Sequence, residues 1–180
     1  MIERSFDRPC MRWNPATLLV CLFLAGCATP EPPPVYLERA NVLPLQLDDR
    51  FEFRKQQTFF NDPRTYVITP SETVRMIRLK KNFGAVTNYE IDAVTGFTYS
   101  FFWRTSQQAD VTVRFEYRQA ALGNFVMAQE RYYPEARGSF QSDFAVVGDE
   151  YLENGKVLAW RVLLIVDGSI VAFRQSYMWK

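Results

Sequence analysis

From Asp110 to Gln119 the chain alternates without a break, with Val111, Val113, Phe115 and Tyr117 on one side and Thr112, Arg114, Glu116 and Arg118 on the other. A period of two is the mark of a strand with one buried face, so this stretch is the clearest strand of the sequence. After Gly96 the same rhythm appears, Phe97, Tyr99, Phe101 and Trp103 alternating against Thr98, Ser100 and Arg104. Residues 125–133, ended by Pro134, and residues 140–147 read as two further strands, while 50–55 and 65–68 give weaker ones around the Asn61-Asp62-Pro63 turn signal. An aromatic share of 16% agrees, because Phe, Tyr and Trp favour pleated, half-buried surfaces.

Two dipeptides near the end, Asn154-Gly155 and Asp167-Gly168, are hairpin signals flanked by strand-like runs. They predict a C-terminal three-stranded antiparallel meander. Its middle strand, 157–166, is apolar at nearly every position and is expected to be covered on both faces; its last strand is expected over 170–179. Seven or so short strands without a long helical segment point to a mainly β domain, an antiparallel two-sheet sandwich with an immunoglobulin-like arrangement as one form and a small β-barrel as the alternative. Residues 71–83 fit helix and strand about equally, and 35–46 read as an arm packed along the domain.

The sequence holds no histidine. That excludes Ser/His/Asp and Cys/His nucleophiles and His-ligated metals, and the three cysteines, Cys10, Cys21 and Cys27, are too few for a Cys-ligated zinc. No cofactor, metal site or catalytic motif is predicted, and the chain reads as a non-enzyme.

An apolar run of ten residues, 16–25, follows a segment containing arginines and ends in small residues. This is the layout of a signal peptide and is about half the ~20 residues that a permanent membrane span needs. The end of the run and the two residues after it, Leu24-Ala25-Gly26-Cys27, resemble the lipobox of bacterial lipoprotein precursors. The resemblance implies diacylglycerylation of the Cys27 thiol, cleavage between Gly26 and Cys27 and acylation of the new amine. Two or three acyl chains, at ~0.8 kcal/mol per buried CH₂, hold a protein firmly where one would be marginal. In that family an Asp after the cysteine favours inner-membrane retention; Ala28 stands here, which implies the periplasmic face of the outer membrane. Glu3 and Asp7 do not suit a positive leader, and Met11 is the better start.

Residues 28–34 carry four prolines and read as an extended tether of about 20 Å at ~3.1 Å per residue. The expected organisation is therefore a signal peptide (1–26), lipidated Cys27 and tether (27–34), and one β domain (35–180). Removing Arg4, Arg8, Arg12, Glu3 and Asp7 from the 21 basic and 20 acidic residues leaves 18 of each, which gives no electrostatic footprint for nucleic acid. Cys27 is then the only thiol, so the domain must be held by its core alone.

Three constellations stand out. Arg114, Glu116 and Arg118 share one side of a strand and read as a solvated face with cross-strand charge pairs, or as an anion clamp. Asp149, Glu150 and Glu153 gather at the Asn154-Gly155 turn, where they serve solubility or form a carboxylate pair or calcium site. The aromatics Phe101-Phe102-Trp103, Tyr132-Tyr133 and Tyr177-Met178-Trp179 divide between core and surface, with Phe102 expected outside. The expected function is a membrane-anchored, non-enzymatic module that binds another envelope protein or supports an envelope assembly. A carbohydrate-binding or carbohydrate-cleaving module and a carrier of an apolar ligand are the alternatives.

Overall fold

The computed structural model describes residues 31–37, 41–65, 71–74, 76, 85 and 87–179. The leader, Gly26 and Cys27 lie outside the described residues, as does most of 66–86. Residues from Pro32 onward belong to one compact unit. Its strands are β1 (Val35–Leu37), β2 (Phe51–Asn61), β3 (Gly96–Gln119), β4 (Met127–Val147), β5 (Val157–Val166) and β6 (Ser169–Gln175). Two short helices, α1 (Asn88–Val94) and α2 (Asp149–Asn154), complete the set used below, and residues 72–74 and 76 are also helical. The domain is mainly β, as the alternation requires.

All six strands join one antiparallel sheet in the order β1-β4-β3-β5-β6, and β2 also pairs with β3. Strand β3 is the key to the architecture. At ~3.3 Å per residue its 24 residues would run about 80 Å if straight. Yet the rings of Tyr99 and Phe115, sixteen positions apart, have centroids only 4.9 Å from each other. The β3–β4 ribbon is therefore folded over on itself.

The bend has identifiable causes. Register shifts occur between Thr105, Ala109 and Val111, where three residues of β3 oppose one of β4 and then Asp110 opposes Pro134 and Glu135. Glu135 and Gly138 have φ of 48° and 99°, and the Glu135 amide donates to the Asp110 carboxylate at 2.8 Å. Bulges kink a ribbon and raise its twist, and they admit a proline inside a strand. The sequence reading of two strands on either side of 105–109, and of an end at Pro134, is corrected accordingly: each pair of segments is one bent strand.

Folding the ribbon creates two facing layers. One contains β2, the first half of β3 and the second half of β4; the other contains β1, the first half of β4, the second half of β3, β5 and β6. Between them lie Tyr99, Phe101, Phe115, Phe144, Trp160 and Val162. This arrangement is compatible with the expected sandwich, although its layers are halves of one sheet, and the sheet does not close into a barrel.

The hairpin at Asp167-Gly168 forms as expected, with both residues at positive φ and β5 paired to β6. The meander does not extend to Asn154-Gly155. There Gly155, at φ 76°, closes α2 by donating its amide to Tyr151 O at 2.8 Å, and β5 pairs with β3 instead of β4. Asn-Gly serves both purposes, because a helix ending in the left-handed region makes the same demand as a tight turn.

Candidate functional site

Four polar side chains converge where the second layer meets α2. Tyr117 on β3 and Gln129 on β4 point into the space between the layers, and the Gln129 amide donates to the Tyr117 oxygen at 3.1 Å. The Tyr117 hydroxyl in turn donates to Oε1 of Glu150, in the first turn of α2. Tyr36, on β1, reaches the other oxygen of the same carboxylate at 3.4 Å. Gln119 fixes the helix itself, donating to Glu150 O and Gly155 O, each at 3.0 Å.

Burial governs the electrostatics here. It raises the Glu150 pKa above the ordinary 4.5, although the Tyr117 and Tyr36 hydroxyls pull it back. Burial, reinforced by the Glu150 carboxylate, pushes both tyrosines up as well, so their hydroxyls remain donors. A carboxyl group whose folded pKa is raised binds more protons in the folded than in the unfolded state, so stability falls as pH rises from about 4.5 through the folded value. Glu150→Gln keeps an acceptor for Tyr117 and removes the charge. Its thermal stability should therefore gain on the wild type as pH rises through that window and run parallel to it elsewhere. Parallel curves throughout would show that Glu150 is not desolvated.

Beside this cluster the two halves of β4 face each other across the open seam of the sheet. Gln129 donates to Ala145 O at 3.0 Å, and Arg131 donates Nε to Asp143 O at 2.8 Å. Tyr133 places its hydroxyl 3.4 Å from Gln141 O and 2.7 Å from Ser142 Oγ. Alternate side chains of one half thus satisfy alternate edge carbonyls of the other. An edge occupied in this way is protected from pairing with a foreign strand. Arg131 also donates to Pro32 O, and its guanidinium sits 5.5 Å over the Phe144 ring.

The N-terminal arm is built into this seam. Pro32 rests on Arg131, and β1 pairs with β4 from Val35 opposite Glu130 to Leu37 opposite Ala128. Further on, Pro44 and Gln46 exchange hydrogen bonds with Ile170, and Asp48 donates to Val171 O at 3.0 Å, a parallel addition to β6. Of the arm expected over 35–46, the described residues 35–37 and 41–46 lie along the domain, and Pro32, expected within the tether, already contacts it.

The three constellations fare differently. Arg114, Glu116 and Arg118 do share one side of β3, but that side is not solvated: Glu116 is 1% exposed and Arg114 8%. Cross-strand pairing is present on both flanks, Glu116 with Arg161 of β5 at 2.5 Å and Arg114 with Glu130 of β4 at 2.5 Å. Arms of the chain cover the pairs. Asn41 O accepts from Arg114 at 3.0 Å, and the guanidinium groups of Arg118 and Arg161 lie 4.8 and 4.9 Å from the centre of the Trp179 ring.

Asp149, Glu150 and Glu153 ride on α2 instead of a turn; Asp149 and Glu153 are exposed and only Glu150 enters the cluster. Among the described residues, no group of three or more Asp, Glu, Cys or His stands together as a metal site. Of the aromatics, Phe101, Trp103, Tyr133 and Trp179 are buried, Tyr132, Tyr177 and Met178 are exposed, and Phe102 is half-buried with the Lys55 ammonium 5.7 Å from its ring centre. Sequence reading missed Tyr36, Tyr117, Gln129 and Arg131 as one constellation. A polar Gln129 in a strand otherwise read as half-buried was the available signal.

No protein-family model matches the chain, and no curated protein and no solved structure matches it.

Proposed function

We propose that this is a lipid-anchored envelope protein, attached through Cys27, whose β domain is a non-enzymatic module that binds another envelope protein. The observation that carries this reading is the N-terminal arm. Five residues after Cys27, within the proline run, the chain is fastened to the domain at Pro32, then at β1 and again along β6, so a pull on the anchor is transmitted to the whole sheet. The space between the layers is filled by contacting rings, such as Phe101 with Phe115 at 5.5 Å and Phe115 with Phe144 at 5.3 Å, which disfavours an apolar carrier. The buried carboxylates Glu116 and Glu150 are engaged by arginines and tyrosines of the fold, which favours structural over hydrolytic roles.

A binding surface is available on β2. From Arg54 to Phe60 every residue is exposed, and Phe59 and Phe60 place large apolar groups there. An exposed strand edge with apolar side chains is suited to adding a strand or a hydrophobic segment of a partner. Mass spectrometry of the mature N-terminus tests the anchor. The wild type should begin at a triacylated Cys27 and fractionate with membranes, whereas Cys27→Ser should lose the lipid and leave the membrane fraction. An uncut wild-type chain would end this reading. Cross-linking from a photoreactive residue at position 58 in solubilised membranes should capture one reproducible envelope protein.

A further inference from the structure

The polypeptide between the proposed lipid and the domain is short. We infer that the bend of the β3–β4 ribbon faces the lipid surface and that the end carrying α1 and α2 points away from it, so the domain stands on the membrane in a fixed attitude. This inference rests on the attachment at Cys27 proposed above.

Five peptide steps separate Cys27 from Pro32, and a fully extended chain gains at most about 3.6 Å per step, so Pro32 lies within about 18 Å of the lipidated residue. Roughly 5 to 7 Å of that is taken up by the headgroup layer on each side of the hydrocarbon core. Pro32 is therefore held within about 12 Å of the lipid surface, well under the ~30 Å that one layer spans from Gly96 to Thr105.

The direction of the arm sets which end is near. Strand β1 is antiparallel to β4, with Val35 opposite Glu130 and Leu37 opposite Ala128, so moving back from Val35 toward the anchor runs toward higher β4 numbers. The Pro32 contact with Arg131 lies on that course, and beyond it come exposed Tyr132, Pro134 and Glu135 and the facing residues Gln108 and Asp110. That end is the bend. At the other end of both layers stand α1, whose Tyr89 is 84% exposed, and α2, with exposed Leu152. Tyr132, with an apolar ring and a hydroxyl bonded to Asp110, has the amphipathic character suited to a headgroup boundary. The helical end and the distal part of β2, with Phe60 packed on Phe97 and Tyr151, are left for a partner in the aqueous space.

Acylation of Cys27 and removal of the leader would leave the mature chain without a free thiol, so a single introduced cysteine reports alone. The lipidated protein carrying Gln108→Cys or Tyr89→Cys, each labelled with a nitroxide, is reconstituted into phosphatidylethanolamine and phosphatidylglycerol vesicles containing a nickel-chelating lipid. The Gln108 label should lose spectral amplitude to the headgroup nickel, and the Tyr89 label should keep its own. Inserting ten Gly/Ser residues between Ala28 and Thr29 leaves the domain untouched and should erase the difference. Equal loss at both positions, greater loss at Tyr89, or a difference that survives the insertion would overturn the orientation. A wild-type chain that fails to float with the vesicles would instead overturn the anchor, and the inference with it.

Discussion

Truncation of Phe115 to alanine should destabilise the domain by about 4 kcal/mol, the middle of the range for removing a buried ring. Phe115 is fully buried at the point where the folded ribbon meets itself. Its ring centroid lies 4.9 Å from that of Tyr99 and 5.5 Å from Phe101 in one half of β3, 5.0 Å from Tyr117 in its own half, and 5.3 Å from Phe144 in β4. Both layers therefore lose a partner when it is removed, and well-placed ring pairs contribute roughly 0.5–1.5 kcal/mol each beyond area burial. Urea unfolding should show a lower midpoint with an unchanged slope. Phe125→Ala, at an exposed ring, should move stability by less than about 0.5 kcal/mol. If Phe115→Ala cost no more than that, the two halves of β3 would not face each other at this ring.

Removing Glu116 should cost nearly as much for a different reason. Its carboxylate is 1% exposed and neutralises Arg161 at 2.5 Å, with Arg114 at 3.8 Å. In Glu116→Ala the Arg114 guanidinium stays buried with Glu130 as its carboxylate partner, and Arg161, which also meets the Trp179 ring, loses its anion. Breaking one member of a buried ion network costs about 3–5 kcal/mol because uncompensated charge remains, and the partial exposure of Arg161 places the expectation near 3 kcal/mol. The double variant Glu116→Leu with Arg161→Met should recover most of that loss, since well-packed apolar groups can replace a buried pair. Chemical denaturation of both variants is the measurement. A loss under about 1 kcal/mol in the single variant would mean that this face is solvated after all.

Several elements were legible in the sequence. The alternation from Val111 to Tyr117 assigned those side chains to the core, and each is buried. Asp167-Gly168 announced its hairpin because two successive positive φ angles are a local demand that few residue pairs meet. The bend of β3 was not legible. The polar residues from Thr105 to Gln108 look like a loop between strands, and only the partner strand, with Pro134, Glu135 and Gly138 opposite, turns them into bulges that keep the ladder running.

The polar constellations were misread for a related reason. Periodicity reports which side chains share a face of a strand, and it placed Arg114, Glu116 and Arg118 together correctly. Whether that face meets water depends on distant segments, here Asn41 and Trp179, which fold across it. Glu150 likewise looked like one of three turn carboxylates until α2 turned it toward Tyr117, 33 positions away in sequence.

What the chain alone makes legible is local: its mainly β character, the apolar face of each strong strand, one tight hairpin, and a lipobox-like stretch from which the anchor at Cys27 is proposed. It takes the folded chain to make two long strands double back into both layers, to bury charged side chains in pairs, and to fasten the N-terminal arm to the seam through Pro32 and Arg131. The physical reason is that backbone preference and alternation act over a few residues. Burial and charge pairing are set by groups that folding brings together from far apart in the chain.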